Sequence, residues 1–183
     1  NLESQKTHDL LVFGMFENSK FAGNCSQNLA DSVNDKLALD NFSGKEGKIL
    51  SCYGDDIIKR WLVVGFGDKK KFSPDKLRAF SANITSYANK NNLKSISLDL
   101  KSLSLSKEEN LQALCEGLVL GSYEFLNYKS KVEEENSLEK AFIVGNADKK
   151  IIDKGFALGQ SVSFARDLGN HPPNIQTPAD LAS

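Results

Sequence analysis

Side chains that usually build a catalytic centre are scarce in this sequence. Among its 183 residues there are only two histidines, His8 and His171, too far apart to form the histidine pair of a zinc-binding helix. Each is assigned a surface or hydrogen-bonding role. Cys25, Cys52 and Cys115 are scattered without a CxxC pair, which excludes a zinc ribbon or a thioredoxin-like site. Half-buried free thiols in a reducing compartment are expected of them. No apolar run reaches the about 18 residues that a membrane span requires. The opening Asn1-Leu2-Glu3-Ser4-Gln5-Lys6 lacks the apolar core of a signal peptide. The N-x-S/T triplets at Asn24, Asn41 and Asn83 are therefore read as coincidence, and the cytoplasm is the expected compartment. Excess charge is missing too. With 23 basic and 24 acidic residues the net charge is −1, unlike the strongly basic surface of a nucleic-acid binder.

The familiar short motifs are also incomplete. Gly159-Gln160-Ser161-Val162-Ser163 lacks the second glycine of a nucleophile elbow and falls in a helical stretch. Val64-Gly65-Phe66-Gly67-Asp68 begins like a phosphate-cradling loop, but it has neither the third glycine nor a lysine-serine pair. It is read as a glycine turn. The run Lys69-Lys70-Lys71 reads as a solvated charge cluster, and Asp55-Asp56 as turn residues without further cation ligands. No catalytic or metal-ligating residue is assigned.

What the sequence does contain is an alternation of apolar runs and helical periodicities, which points to an α/β domain with a mixed sheet flanked by helices. Strands are expected at 9–16, 48–53 and 57–66, the last two joined as a hairpin through Gly54-Asp55-Asp56. A fourth is centred on Ile96 and Leu98, its alternation suggesting one solvated face, and a fifth spans 138–144. Helices are expected at 26–39, capped by Ser26 with Leu29, Val33 and Leu37 spaced at fours, and after Ser73-Pro74, where Ser73 is the cap residue and Leu77, Phe80, Ile84, Tyr87 and Ala88 form one stripe. Two more are expected at 107–125, opened by a capping box from Ser106 to Glu109, and at 149–168, with Phe156, Leu158, Val162 and Ala165 as contacts. Residues 129–136 read as a charged loop, and Pro172, Pro173 and Pro178 break the last helix.

Two segments go beyond pattern. One is Cys115-Glu116-Gly117-Leu118-Val119-Leu120-Gly121-Ser122-Tyr123-Glu124-Phe125-Leu126-Asn127-Tyr128-Lys129. The other begins at Gly155-Phe156-Ala157-Leu158-Gly159-Gln160 and continues as Ala165-Arg166-Asp167-Leu168-Gly169-Asn170-His171-Pro172-Pro173-Asn174-Ile175-Gln176-Thr177-Pro178-Ala179-Asp180-Leu181-Ala182. Gly117 and Gly121, four apart on one helix face, would let a strand or second helix approach closely. Tyr123, Phe125 and Tyr128 supply aromatic mass for a core or interface. Asn170, Asn174 and Thr177 could bond local backbone around the prolines to make a stiff hinge.

Both segments resemble the leucyl aminopeptidase (cytosol aminopeptidase) family. There E-G-x-x-L-G-x-Y-x-F-x-x-Y-K closes the amino-terminal domain, and A-R-x-L-x-N-x-P-x-N-x-x-T-P-x-x-L-A leads into the peptidase domain. The positions carrying the resemblance are Glu116, Gly117, Gly121, Tyr123, Tyr128, Lys129, Arg166, Leu168, Asn170, Pro172, Asn174, Thr177 and Pro178. Leu62-Val63-Val64-Gly65-Phe66-Gly67 and Leu77-Arg78 match a further strand end and helix start. The resemblance implies a macro-domain-like amino-terminal domain at 1–148 and, at 149–183, a linker helix and the start of a peptidase domain. It also implies removal of amino-terminal residues from peptides by two divalent ions, manganese or zinc, in a hexamer. The ligands would lie further along a longer chain, of which this sequence is expected to be a piece. Asp153, Asp167 and Asp180 are not taken as substitutes. The alternatives are a free-standing nucleotide-binding module of the ADP-ribose type, with Gly65-Phe66-Gly67 as its phosphate loop, and a DNA-binding domain, against which the net charge argues.

Overall fold

The structure is a computed structural model, and it describes residues 8–54, 58–103, 107–128, 138–177 and 179. Five strands, β1 (His8–Phe16), β2 (Ile49–Tyr53), β3 (Ile58–Gly67), β4 (Ser95–Asp99) and β5 (Lys140–Val144), form one sheet in the order β2-β3-β1-β4-β5. Strands β3, β1, β4 and β5 run parallel, and β2 alone is antiparallel, paired with β3. The expected hairpin is present, with Tyr53 opposite Arg60 and the Gly54 N–H donating to the Lys59 carbonyl. Its turn, Asp55-Asp56, lies outside the described residues.

Among the described residues, three helices cover the sheet, α1 (Gln27–Leu39), α2 (Pro74–Lys90) and α3 (Glu108–Gly121), and a fourth, α4 (Lys149–Asn170), packs on α3. Because side chains alternate across a strand, β1 feeds two cores. Leu10, Val12 and Phe16 join Leu62, Val64, Ile96 and Leu98 beneath Leu77, Phe80 and Ile84 of α2 and Leu114 and Leu118 of α3. Leu11, Phe13 and Met15 join Trp61 and Val63 beneath Val33 and Leu37 of α1. Ser26 caps α1 by accepting from the Leu29 N–H at 3.3 Å.

Four expectations change. β4 has no solvated face, since Ser97 and Asp99 are as fully buried as Ile96 and Leu98. The segment after β1 crosses over it, and the Asn24 N–H donates to the Asp99 carboxylate. Ser73 precedes Pro74 at the start of α2 but makes no side-chain cap bond. The capping-box serine, Ser106, lies outside the described residues, and Lys107 stands before α3 without a side-chain cap. Finally, α3 ends at Gly121, where the Ser122 N–H bonds back to Leu118 and Val119, so Phe125 lies beyond the helix.

Candidate functional site

The two family-like segments meet along α3. Gly117 and Gly121 face α2 so closely that a β-carbon at Gly117 would lie 2.0 Å from Ser81 Oγ and 2.4 Å from the Arg78 carbonyl oxygen. One at Gly121 would lie 2.5 Å from Ala82 Cα. The helix they admit is therefore α2. On the opposite side, Gly155 and Gly159 of α4 are buried against α3, with would-be β-carbons 2.7 Å from Cys115 Cβ and 2.7 Å from Val119 Cβ. Two glycine pairs at the same four-residue spacing thus hold three helices in contact. The second pair was missed from sequence, although its spacing repeats the first.

Glu116 sits between these faces, only 8% exposed. It accepts from Arg78 Nε at 2.5 Å and from Gln112 Nε2 at 2.6 Å, while Arg78 also bonds Asp75 on its exposed side. The hydrogen bond to Glu116 comes first among the influences that raise the Arg78 pKa. Loss of Arg78 would leave Glu116 buried without its cationic partner, which is unfavourable, whereas Arg78 is partly exposed and keeps Asp75. Cys115 next to it is not a nucleophile. Burial, and then the Glu116 charge, push its thiol up to about 12, and the thiolate is the reactive form.

Beyond α3, the chain is tied to the end of α4. The Tyr123 hydroxyl donates to Asp167 Oδ1 at 2.8 Å and accepts from Asn170 Nδ2 at 3.0 Å, and the Arg166 guanidinium lies 5.4 Å from the Tyr123 ring centre. Desolvation and then the bond to Asp167 raise the Tyr123 pKa. Tyr128 Oη is 2.6 Å from His171 Nδ1, and Phe125 packs edge-on against the same imidazole with centroids 5.3 Å apart. His171 thus has the hydrogen-bonding role expected of it. The hinge is built differently from the expectation. Asn170 reaches Tyr123 rather than local backbone, and the turn after Pro172 is closed by Ile175 and Gln176 N–H groups on the Pro172 carbonyl. Asn174 is exposed in that turn, while Leu168 and Thr177 are half-buried. Lys129 and Pro178 lie outside the described residues. Of the expected contacts on α4, Phe156 is half-buried, whereas Leu158, Val162 and Ala165 are exposed.

No reactive centre emerges from these contacts. Among the described residues no group of three or more His, Cys, Asp or Glu side chains could hold a metal ion, and no helix is long and apolar enough to cross a membrane. Gly65-Phe66-Gly67 is the end of β3 rather than the expected glycine turn, and it cannot cradle phosphate. Its Gly65 N–H donates to the Lys48 carbonyl, its Gly67 N–H to the Gly44 carbonyl, and Phe66 is buried.

A five-stranded mixed sheet with α4 docked on its helical layer is the class of domain defined here. The family model for the cytosol aminopeptidase family, N-terminal domain, matches residues 12–132. The chain belongs to that family, as its amino-terminal domain. A probable cytosol aminopeptidase of Aquifex aeolicus (strain VF5) is 29% identical over 184 residues, spanning 100% of this chain and 37% of that protein. Its counterpart in Alkaliphilus metalliredigens (strain QYMF) is 30% identical over 191 residues, spanning 95% and 38%. Among solved structures, a tomato leucine aminopeptidase mutant superposes with a TM-score of 0.73 at 27% identity, over 98% of this chain and 38% of that one. The bottromycin maturation enzyme BotP shares the fold, with a TM-score of 0.73 at 21% identity over 96% and 36%. The chain therefore spans well under half the length of the relatives it matches.

Proposed function

We propose that this chain is the non-catalytic assembly domain of a metal-dependent leucyl aminopeptidase that releases amino-terminal residues from peptides. The family match across residues 12–132 carries the reading. In it, residues 1–148 form a macro-domain-like unit, and 149–183 lead into a peptidase domain. The 22 residues of α4 span about 33 Å. Its Gly155 and Gly159 grip α3, and its later turns offer Phe164, 63% exposed, to whatever follows. Glu116, Gly117, Gly121, Tyr123, Tyr128, Arg166, Leu168, Asn170, Pro172, Asn174 and Thr177, with Lys129 and Pro178, then serve to fix the junction rather than to react.

The reading places the protein in the cytoplasm as a hexamer with two divalent ions, manganese or zinc, in each peptidase domain. The fold neighbour BotP has been solved in complex with Mn. The described residues here do not fit such a pair of ions, since they bring no ligand group together. Metal chemistry is accordingly assigned to the peptidase domain, and the role of this chain is to position it. The test is hydrolysis of leucine p-nitroanilide with added Mn²⁺ or Zn²⁺, by the 183-residue chain and by the longer gene product carrying it. Turnover by the longer product alone is expected. A folded, oligomeric longer product without turnover would overturn the reading.

A further inference from the structure

Strand β2 forms one edge of the sheet, and among the described residues no strand lies beyond it. The Gly65 N–H donates to the Lys48 carbonyl and the Gly54 N–H to the Lys59 carbonyl. Hydrogen-bonded pairs alternate along an antiparallel ladder. Leu50 and Cys52 therefore direct their backbone groups to β3, opposite Val63 and Trp61, while those of Ile49, Ser51 and Tyr53 point outward. Sheet edges are commonly blunted by charge, proline or a bulge. β2, Ile-Leu-Ser-Cys-Tyr, has no charge and no proline, and its pairing with β3 shows no register shift.

The same residues leave apolar surface uncovered. Ile49 is 47% and Tyr53 81% exposed, and Ser51 between them is exposed as well. All three side chains stand on the α2 side of the sheet. Ser51 Oγ is 3.1 Å from Tyr87 Oη of α2. The Arg60 guanidinium lies 5.0 Å from the Tyr53 ring centre and donates to Asn91 Oδ1, at the end of α2, at 2.6 Å. Ile49 borders a groove of about 160 Å³ with Ala79, Phe80 and Ile84 of α2. This edge is complementary to itself. A second copy laid antiparallel on β2, with the two-fold axis at Ser51, brings every outward N–H against an outward C=O. Ile49 then faces Tyr53 of the copy on both sides of the axis, a β-branched side chain against an aromatic ring at the mouth of the groove. Lys48 falls opposite Gly54, so no like charges oppose each other within the paired segment.

We infer that two copies of this chain pair through β2, antiparallel about Ser51, so that their sheets run on as one. The inference stands whether or not the peptidase reading holds. Two five-residue strands bury less surface than the roughly 1,000 Å² of a stable interface, so a weak dimer is expected. Sedimentation of the 183-residue chain at low ionic strength should show a monomer–dimer equilibrium with a Kd of about 1 mM or tighter. Ile49→Lys with Tyr53→Lys sets like charges opposite each other twice, whereas Ile49→Lys with Tyr53→Glu sets opposite charges there. The second variant should dimerise about tenfold more tightly than the first. Both positions are exposed, so unaltered thermal melts will certify the fold of each variant. Across a hydrogen-bonded pair the Cα atoms lie about 5.5 Å apart, within the reach of a disulfide. Ser51→Cys should therefore cross-link to its own copy under copper phenanthroline, and Ile49→Cys, displaced from the axis, should not. Equal dimerisation of the two charge variants, or cross-linking of Ile49→Cys as readily as Ser51→Cys, would overturn the inference. So would a chain that stays monomeric at about 1 mM, which would leave the edge to a strand of another protein.

Discussion

Asp9 shows how much one side chain can carry in a parallel sheet. It stands near the start of β1, where Oδ2 accepts from the Lys94 and Ser95 N–H groups, each at 3.0 Å, and from Ser95 Oγ at 3.1 Å. Its Oδ1 takes the Lys59 ammonium of β3 at 2.5 Å. One carboxylate therefore joins three adjacent strands where β4 begins. Burial alone would raise its pKa, but the hydrogen bonds from Lys59 and Ser95, with the Lys59 charge, outweigh it and leave the group below its ordinary 3.8. A carboxylate with a lowered folded value contributes stability above the unfolded value and loses it as pH falls through the folded one. The Lys59 side chain is 63% exposed, so its share is screened and the backbone bonds dominate. Asp9→Asn should cost about 1–2 kcal/mol at neutral pH. In urea melts, the gap between the two proteins should close as pH drops below 3.8. A gap that stays constant to pH 2 would show that the charge is irrelevant there.

The contacts among α2, α3 and α4 depend on missing β-carbons. Gly117→Ala gains helix propensity of about 1 kcal/mol, yet it must push Ser81 Oγ and the Arg78 carbonyl apart. Overpacking of this kind typically costs about 1–3 kcal/mol or more, so a net loss is expected. Gly169 of α4 has nothing within 4 Å of its would-be β-carbon, so Gly169→Ala should stabilise by up to about 1 kcal/mol. Thermal melts of both variants would measure the contrast, and equal effects would refute the close-approach account. The glycine spacing in α3 was legible because it is local, as were the α2 stripe and the buried Val33 and Leu37 of α1. What stayed illegible depended on distant partners. Ser97 and Asp99 look solvent-facing until the segment at Asn24 covers that side of β4. The Gly65 and Gly67 N–H groups look available until Lys48 and Gly44 claim them. The Tyr123–Asp167–Asn170 contact joins residues more than 40 positions apart, which no periodicity announces.

Across the whole molecule, burial is uneven. β1 and residues 61–67 of β3 are buried on both faces, whereas β5 has Ala141 and Phe142 exposed on its outer edge. On α4, Leu158 is 41%, Val162 43% and Phe164 63% exposed, although only Gly155 and Gly159 are buried. The exposed Leu158, Val162 and Phe164 therefore gain little from the sheet domain, whereas Ile151, Ile152, Phe156 and Leu168 are half-buried. If the longer protein covers this surface, changing it should matter there and not here. Leu158→Asp combined with Phe164→Asp should shift the unfolding free energy of the 183-residue chain by less than about 0.5 kcal/mol, the range for exposed sites. In the longer gene product the same pair would bury two carboxylates without partners, which is strongly unfavourable. Loss of oligomer on gel filtration, or of leucine p-nitroanilide turnover, is therefore expected in that setting. A loss above about 1 kcal/mol in the short chain would mean that α4 is already packed through these residues. Unchanged assembly and turnover in the longer product would mean instead that this face stays in water, and that the junction rests on Tyr123, Tyr128 and His171 alone.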